Sequence, residues 1–459
     1  MTVDFDAIVI GSGQAGPFLA VRLAGSGKKV ALVERKVLGG TCVNTGCTPT
    51  KAMVACAKVA HMAREAGKFG VHLDGNISIS LAEIKARNDQ IVQNSRDSLR
   101  RMLDSAKGCT VIYGQAKFIS AHEVQVGEQI LRAGQIFINV GGRAAAPALP
   151  GLQQISYFTN STLLQLTELP RHLIVVGGGA IGVEFAQIFR RLGSEVTLVE
   201  MKSALVHRED AEASKLMGEL LEQEGIRIRL NSECISFSPI PDGVCVHVTC
   251  KSDEPEVRGS HVLLAMGRVP NTGDLGLDAA GVNTDPQGFI PVDDELRTNV
   301  PHIWALGDCN RRGAFTHTAY NDFEIVADNF LDGASRRVTD RIPVRATYSD
   351  PPLAQVGMTE EEARGTGREL LIATRPMRSV ARAIEKGETF GFMKAIVDSK
   401  TKRILGATIF GVGGDEAVHC ILSTMYADQP YTTLTHAVHI HPTVAELIPT
   451  LLGSLKPAT

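Results

Sequence analysis

The sequence predicts an α/β fold: two Rossmann-like dinucleotide-binding domains followed by an α+β C-terminal domain. Three observations predict it. A pattern of strand, glycine-rich turn, helix, strand and acid occurs twice. Glycine is frequent, at 45 of 459 residues, and those turns are rich in it. Strand-length apolar runs (Leu370 to Ala373, Phe392 to Val397, Ile404 to Ile409) recur late in the chain. The length allows about three domains at roughly 150 residues each. Apolar residues make up 44% and charged residues 21%, which excludes a disordered chain. The formal charge of −3 argues against a nucleic-acid partner and against a membrane-surface polycation. Nine cysteines are too few for a disulfide scaffold. The longest run of apolar residues and glycine, Leu173 to Val183, stops at Glu184 and is too short to cross a bilayer. No basic leader with an apolar stretch opens the chain, so a cytoplasmic protein without membrane or nucleic acid is expected.

The first copy of the pattern begins with Phe5 to Ile10 and turns at Gly11-Ser12-Gly13-Gln14-Ala15-Gly16. A helix to about Ser26 and a run from Val30 to Val33 lead to Glu34. The second copy runs from His172 to Val176 through Gly177-Gly178-Gly179-Ala180-Ile181-Gly182. A helix to about Leu192 and a strand from Glu195 to Val199 then lead to Glu200. The first glycine and the acid are 23 positions apart in both copies. Gly11 and Gly177 permit the tight turn. Gly13 and Gly179 let backbone approach a pyrophosphate, and Gly16 and Gly182 let helix pack against strand. The helix N-terminus attracts the phosphates, and Glu34 or Glu200 accepts from ribose hydroxyls. Two clamps imply two dinucleotides, one flavin and one nicotinamide. Glu200 would repel a 2′-phosphate, which favours NAD over NADP; Lys202 and Arg208 keep NADP open.

One long helix is expected between the copies, capped by Ser80 and Glu83 and closed by Gly108. Its apolar stripe is Leu81, Ile84, Ile91, Val92, Leu99, Met102 and Leu103. Pro147, Pro150 and Gly151 mark one boundary, and Gly267 to Gly273 marks another. The expected division is 1–147 and 273–342 for the flavin-binding part, 148–272 for the NAD-binding part and 343–459 for the C-terminal domain. Arg336 to Arg345, with four arginines and one aspartate, reads as a solvated linker.

Directly after the first clamp stands Gly39-Gly40-Thr41-Cys42-Val43-Asn44-Thr45-Gly46-Cys47-Thr48-Pro49-Thr50-Lys51. Five helical steps rise about 7.5 Å, whereas a disulfide needs Cα atoms within about 7 Å. A Cys42–Cys47 bridge therefore requires a distorted helix start, which Gly46 and Pro49 permit. A dithiol at a helix N-terminus gains thiolate character. A zinc half-site lacks its second cysteine pair, and unrelated buried cysteines are the other alternative. The position beside the flavin clamp favours a redox pair. The remaining cysteines (56, 109, 234, 245, 250, 309 and 420) read as buried small hydrophobes.

This segment resembles the active-site signature of the class I pyridine nucleotide–disulfide oxidoreductases, which include dihydrolipoyl dehydrogenase and mercuric reductase. The resemblance extends to Thr298-Asn299-Val300-Pro301-His302-Ile303-Trp304-Ala305-Leu306-Gly307-Asp308, similar to the family's second flavin motif. Ala265-Met266-Gly267-Arg268-Val269-Pro270-Asn271 is similar to the motif that closes its NAD domain. The resemblance implies FAD and NAD as cofactors. It makes Cys42 the interchange thiol and Cys47 the charge-transfer thiolate beside the flavin. Lys51 and Glu184 would pair where hydride arrives, Asp308 would hold the ribityl chain, and Gly114 would approach the adenine end. Thr41 and Gly267 join the cofactor-binding set.

His441-Pro442-Thr443-Val444-Ala445-Glu446 resembles the family's C-terminal ending. There the histidine moves a proton to and from the interchange thiol, a task suited to imidazole near neutral pH, and the glutamate orients it. The family places this histidine in the partner's site, which implies an obligatory homodimer and makes residues 343–459 its dimerisation domain. A metal cluster of His436, His439 and His441 lacks a completing ligand, so no metal is expected. Thr45 and Thr48 replace the family's usual aliphatic residues, and no cysteine follows Cys420. The implied activity is dihydrolipoyl dehydrogenase-like transfer between NAD(H) and a disulfide or dithiol, a lipoyl group first. The alternatives are a mercuric, cupric or quinone reductase on the same scaffold, and a redox-sensing interaction protein.

Overall fold

The computed structural model describes residues 2–249 and 255–458. The chain opens with β1 (Thr2–Ile10), α1 (Gly16–Gly25) and β2 (Val30–Glu34). Then come α2 (Gly40–Thr45), α3 (Cys47–Glu65), α4 (Leu81–Ser105), β3 (Cys109–Tyr113), β4 (Ala116–Phe118), β5 (Glu123–Val126) and β6 (Gln129–Ile138). The first sheet has the order β3-β2-β1-β6-β5-β4, with Ile303–Ala305 added in parallel on β6. β1 is parallel to β2 and β6, and its Ala7, Ile8, Val9 and Ile10 are buried. Parallel strands covered on both faces read as unbroken apolar runs, which is why the run was visible.

The second copy builds its own parallel sheet, in the order Arg227–Arg229, Glu195–Val199, His172–Val176, His261–Leu264. An antiparallel sheet of Glu233–Ile240, Gly243–Thr249 and Glu256–Gly259 flanks it. After residue 343 a six-stranded antiparallel sheet forms, and the three late apolar runs are its strands Leu370–Pro376, Phe392–Asp398 and Ile404–Phe410. Helix Gly414–Tyr426 covers it through Ala417, Val418 and Ile421. No helix among the described residues is long and apolar enough to cross a membrane.

Three expectations need correction. The region between the clamps holds two long helices, not one. α4 is the expected helix, with the Ser80 hydroxyl accepting from the Glu83 N–H. α3 precedes it, and its buried face is Pro49, Thr50, Ala52, Met53, Ala57 and Ala60. Alanine carries little hydrophobic contrast, so the face gives a weak periodic signal, yet it lets α3 pack closely on helix Ala180–Leu192. The arginines near residue 340 are not a free solvated run. Arg341 pairs with buried Asp322 and donates to Asn321 at 2.7 Å, and Arg345 pairs with Glu209 at 2.8 Å. Helix Thr316–Asp332 carries Asn321, Asp322 and Asp328 toward this segment, and Arg336 pairs with Asp328. Of the spare cysteines, Cys245 and Cys309 are buried, whereas Cys56, Cys109 and Cys420 are half-buried. The Cys234 side chain and Cys250 lie outside the described residues.

Candidate active site

The glycines divide by what a side chain would strike. A Cβ on Gly11 would meet the Asn139 carbonyl oxygen at 2.3 Å, and one on Gly16 the Gly11 oxygen at 2.0 Å. In the second copy a Cβ on Gly177 would meet the Ala265 oxygen at 2.4 Å, and one on Gly182 the Gly177 oxygen at 1.8 Å. Gly11 and Gly177 also hold φ at +103° and +116°, which L side chains rarely adopt. A Cβ on Gly179 would meet nothing within 4 Å, because that glycine faces open cleft. Such a cradle fits a pyrophosphate held on backbone N–H groups.

The acids are fixed by backbone. Glu34 accepts from Ser12 N at 3.1 Å, from the Ser12 hydroxyl at 2.6 Å and from Lys36 N at 2.8 Å. Glu200 accepts from Gly178 N at 2.6 Å and Lys202 N at 2.7 Å. Both carboxylates stand at strand ends on one cleft of about 2270 Å³. That volume is well above the roughly 300–1,000 Å³ of a one-ligand pocket and suits two dinucleotides. Gly11, Gly13, Thr41, Gly114, Gly177, Gly267 and Asp308 line the same cleft; Gly16 and Gly182 lie behind it, in the first turns of their helices. Asp308 pairs with Arg268 at 3.3 Å, and burial raises its carboxyl against the pull of that guanidinium.

The two cysteines lie where α2 ends and α3 begins. Gly46 breaks the helix between them with φ −128° and ψ −120°. The bend brings the two thiols within hydrogen-bond reach, and both are free thiols here. Cys42 donates to Cys47, and that bond does most to lower Cys47 from about 9 to about 6. The Thr316 hydroxyl, 3.1 Å from the Cys47 sulfur, and the Lys51 charge help. The same bond, with burial and the Cys47 charge, pushes Cys42 far up. The shared proton therefore stays on Cys42 and the pair's first thiolate is Cys47.

Lys51 follows Cys47 by one turn of α3, so both face the cleft. Its Nζ is 2.7 Å from Glu184 Oε2 and 4.7 Å from the centre of the Tyr348 ring. Glu184 is buried on helix Ala180–Leu192, and its other oxygen accepts from Tyr348 N at 2.9 Å. Thr316 and Tyr348 were not picked out from the sequence, and Arg268 stood only inside the motif that closes the NAD-binding part. Thr316 and Tyr348 come from segments 269 and 297 positions beyond Cys47 and Lys51, where no local pattern announces them.

The His441 Nδ1 lies 3.0 Å from both oxygens of Glu446. Its imidazole side chain is 73% exposed, and neither residue lines the cleft of its own chain. His439 bonds the Leu434 carbonyl at 3.2 Å, and His436 is exposed.

Two dinucleotide clamps opening on one cleft, with a dithiol between them, define a flavoprotein that links a nicotinamide to sulfur chemistry. The chain belongs to the pyridine nucleotide–disulphide oxidoreductase family, whose model matches residues 5–322; the family's dimerisation domain matches residues 343–452. Members of the family bind FAD and use NAD(P)H. The probable pyridine nucleotide-disulfide oxidoreductase RclA of Escherichia coli is 36% identical, over 98% of this chain and 99% of its own. Its solved structure, titled as an HOCl-induced flavoprotein disulfide reductase, superposes with a TM-score of 0.90 over 98% of this chain and 100% of that one, at 34% identity. Dihydrolipoyl dehydrogenase of Chlamydia muridarum is 33% identical, covering 97% of this chain and 96% of its own. Mercuric reductase of Streptomyces lividans is 32% identical, with 95% of each chain covered.

Proposed function

We propose that the chain is an FAD-dependent, NADH-linked reductase of disulfides, with a lipoyl disulfide the first candidate substrate. The observation that carries the reading is the Cys42–Cys47 pair, poised as thiol and thiolate between two clamps. Gly11, Gly13, Gly16, Glu34, Thr41, Gly114 and Asp308 would hold FAD. Gly177, Gly179, Gly182, Glu200 and Gly267 would hold the nicotinamide dinucleotide. Bound flavin supplies two-electron transfer between hydride and sulfur. The residues do the rest. Lys51, anchored by Glu184, sets a positive charge beside Cys47. Cys42 attacks one sulfur of the substrate disulfide, the other leaves, and Cys47 then attacks the Cys42 sulfur. The substrate leaves as a dithiol and Cys42–Cys47 becomes the disulfide. Overall, NADH, a proton and a disulfide give NAD and a dithiol.

Cys42 is held protonated, so it needs a base to become a nucleophile. His441, oriented by Glu446 and outside its own cleft, fits that role as His441 of the partner subunit in a homodimer. The divisions 1–147, 148–272, 273–342 and 343–459 complete the reading as flavin, NAD, flavin and dimer-interface parts. The seven cysteines whose side chains are described are free thiols, which suits a reducing compartment, the cytoplasm.

A second reading, reduction of a metal ion at the same thiols, is favoured by relatives named mercuric reductase and by an RclA structure titled a Cu(II) complex. NADH oxidation by the flavin-loaded protein with lipoamide, glutathione disulfide, mercuric ion and cupric ion separates the two. Lipoamide turnover that Cys42→Ser and Cys47→Ser each abolish is the expected result. A metal ion as the sole substrate would establish the second reading. A colourless protein after reconstitution with FAD would sink both.

A further inference from the structure

The antiparallel sheet beside the nicotinamide clamp has an inner and an outer face. Val244, Val246, Val248 and Val257 turn inward onto Ile174 and Leu264. Cys245 and His247 alternate with them and stand on the outer face. His247 lies directly opposite Glu256 in the register of the neighbouring strand. One ligand atom from each of Cys245, His247 and Glu256 falls within 4.8 Å of the others. A thiol, an imidazole and a carboxylate are the donor set of a borderline-soft divalent ion; magnesium and calcium take oxygen alone. Ser238 adds a second observation. Its hydroxyl is 2.8 Å from His247 Nε2, which engages that nitrogen. Nδ1 is then turned to the carboxylate, 3.5 Å from Glu256 Oε1. Metal-bound histidines are oriented in this way through their outer nitrogen.

We propose that Cys245, His247 and Glu256 form a zinc(II) site on the outer face of this sheet, separate from the Cys42–Cys47 cleft. Tetrahedral ligands at about 2.0–2.3 Å from zinc stand roughly 3.5 Å apart. The half-exposed His247 and Glu256 side chains can close that distance. Cys245 gives up its thiol proton on binding. Three protein ligands leave a fourth position for water. Arg258 competes for the carboxylate: its Nη2 donates to Glu256 Oε2 at 3.1 Å, while Oε1 faces His247. The ion would clip strand Gly243–Thr249 to strand Glu256–Gly259.

Equilibrium dialysis with zinc(II) tests this on flavin-loaded protein carrying C42S and C47S, which removes the cleft thiols. One ion per chain is expected. C245S and H247Q should each abolish the one-to-one binding, and R258M should tighten it. Flavin absorbance and the KM for NADH, the latter read in the wild-type background, should not move in these variants. Where buried C245S fails to fold, H247Q, at a half-exposed position, still decides. Zinc stoichiometry unchanged by H247Q overturns the site.

Discussion

The two glycine clamps share a backbone and differ in their covers. In both, the third glycine lies against the first one's carbonyl, and a glutamate is fixed by two backbone N–H groups. The first clamp is roofed by the dithiol loop. Gly39 N donates to the Ser12 carbonyl at 3.1 Å, and a Cβ on Gly40 would strike Gly13 Cα at 2.7 Å. The second clamp has a matching bond, from Val206 N to the Gly178 carbonyl at 2.8 Å, but nothing closes over Gly179, where a Cβ would meet no atom within 4 Å. The same motif thus serves two purposes. A roofed clamp suits a resident cofactor, with the reactive sulfurs carried on the roof. An open clamp suits a dinucleotide that enters and leaves at each turnover. What separates them is the segment laid over the turn, not the turn itself.

The largest break in this comparison comes from paired glycine substitutions. Gly16→Ala and Gly182→Ala push a methyl group into a carbonyl at 2.0 and 1.8 Å, and overpacking of this kind costs about 1–3 kcal/mol or more. If the roofed clamp holds the flavin, Gly16→Ala yields a protein that loses its yellow colour on gel filtration and has no activity. Gly182→Ala should stay yellow, with a KM for NADH raised at least tenfold. Flavin loss from Gly182→Ala alone would reverse the assignment of the two clamps.

That pair of motifs was the most legible part of the sequence, for a physical reason. The steric demands on Gly11, Gly16, Gly177 and Gly182 arise within one strand–turn–helix unit and its neighbouring strand, so a six-residue pattern reports them. The dithiol was legible for the same reason, with Gly46 marking the break that brings the sulfurs together. Contacts between distant segments were not. Nothing near Cys47 announces Thr316, and nothing near Lys51 announces Tyr348. Arg341 looked solvated because its partner, Asp322, is buried on a helix whose packing no local periodicity reveals. The alanine face of α3 hid how far the helix that starts at the dithiol runs.

Next in size is the base. The roof carries Cys42 protonated, and His441 lies outside the cleft of its own chain. His441→Ala should lower disulfide reduction by roughly 10²–10⁴-fold, the usual worth of a positioned general base. Flavin reduction by NADH should be untouched. Mixing His441→Ala subunits with Cys42→Ser subunits should restore part of the activity, because one site in the mixed dimer then has both groups. No recovery in dimers shown to have exchanged would place the base within one chain.

A smaller effect sharpens the reading of the roof itself. Cys47 is depressed to about 6, so its thiolate is present above that pH and lost as pH falls through it. Alkylation of the reduced protein at Cys47, followed by peptide mass, should rise with a midpoint near that value. Cys42→Ala removes the thiol donor, the largest cause of the shift, and the midpoint should move up toward the ordinary range near 9. An unmoved midpoint would assign the depression to Lys51 and Thr316.

The smallest expected effect tests the acids, which the two clamps hold almost identically. Glu200 is held by Gly178 N and Lys202 N at the open clamp, with exposed Lys202 and Arg208 on the same cleft. Its charge would repel a 2′-phosphate that those cations would attract. Glu200→Ala should therefore lower the ratio of kcat/KM for NADH over NADPH by about tenfold, equivalent to about 1.4 kcal/mol. Glu34→Ala removes the matching acid from the roofed clamp. It should weaken flavin retention and leave the NADH-to-NADPH ratio unchanged, because no exchanging dinucleotide meets it. A shift in that ratio from Glu34→Ala would mean that the roof opens during turnover, and the distinction between a resident and a visiting dinucleotide would fail.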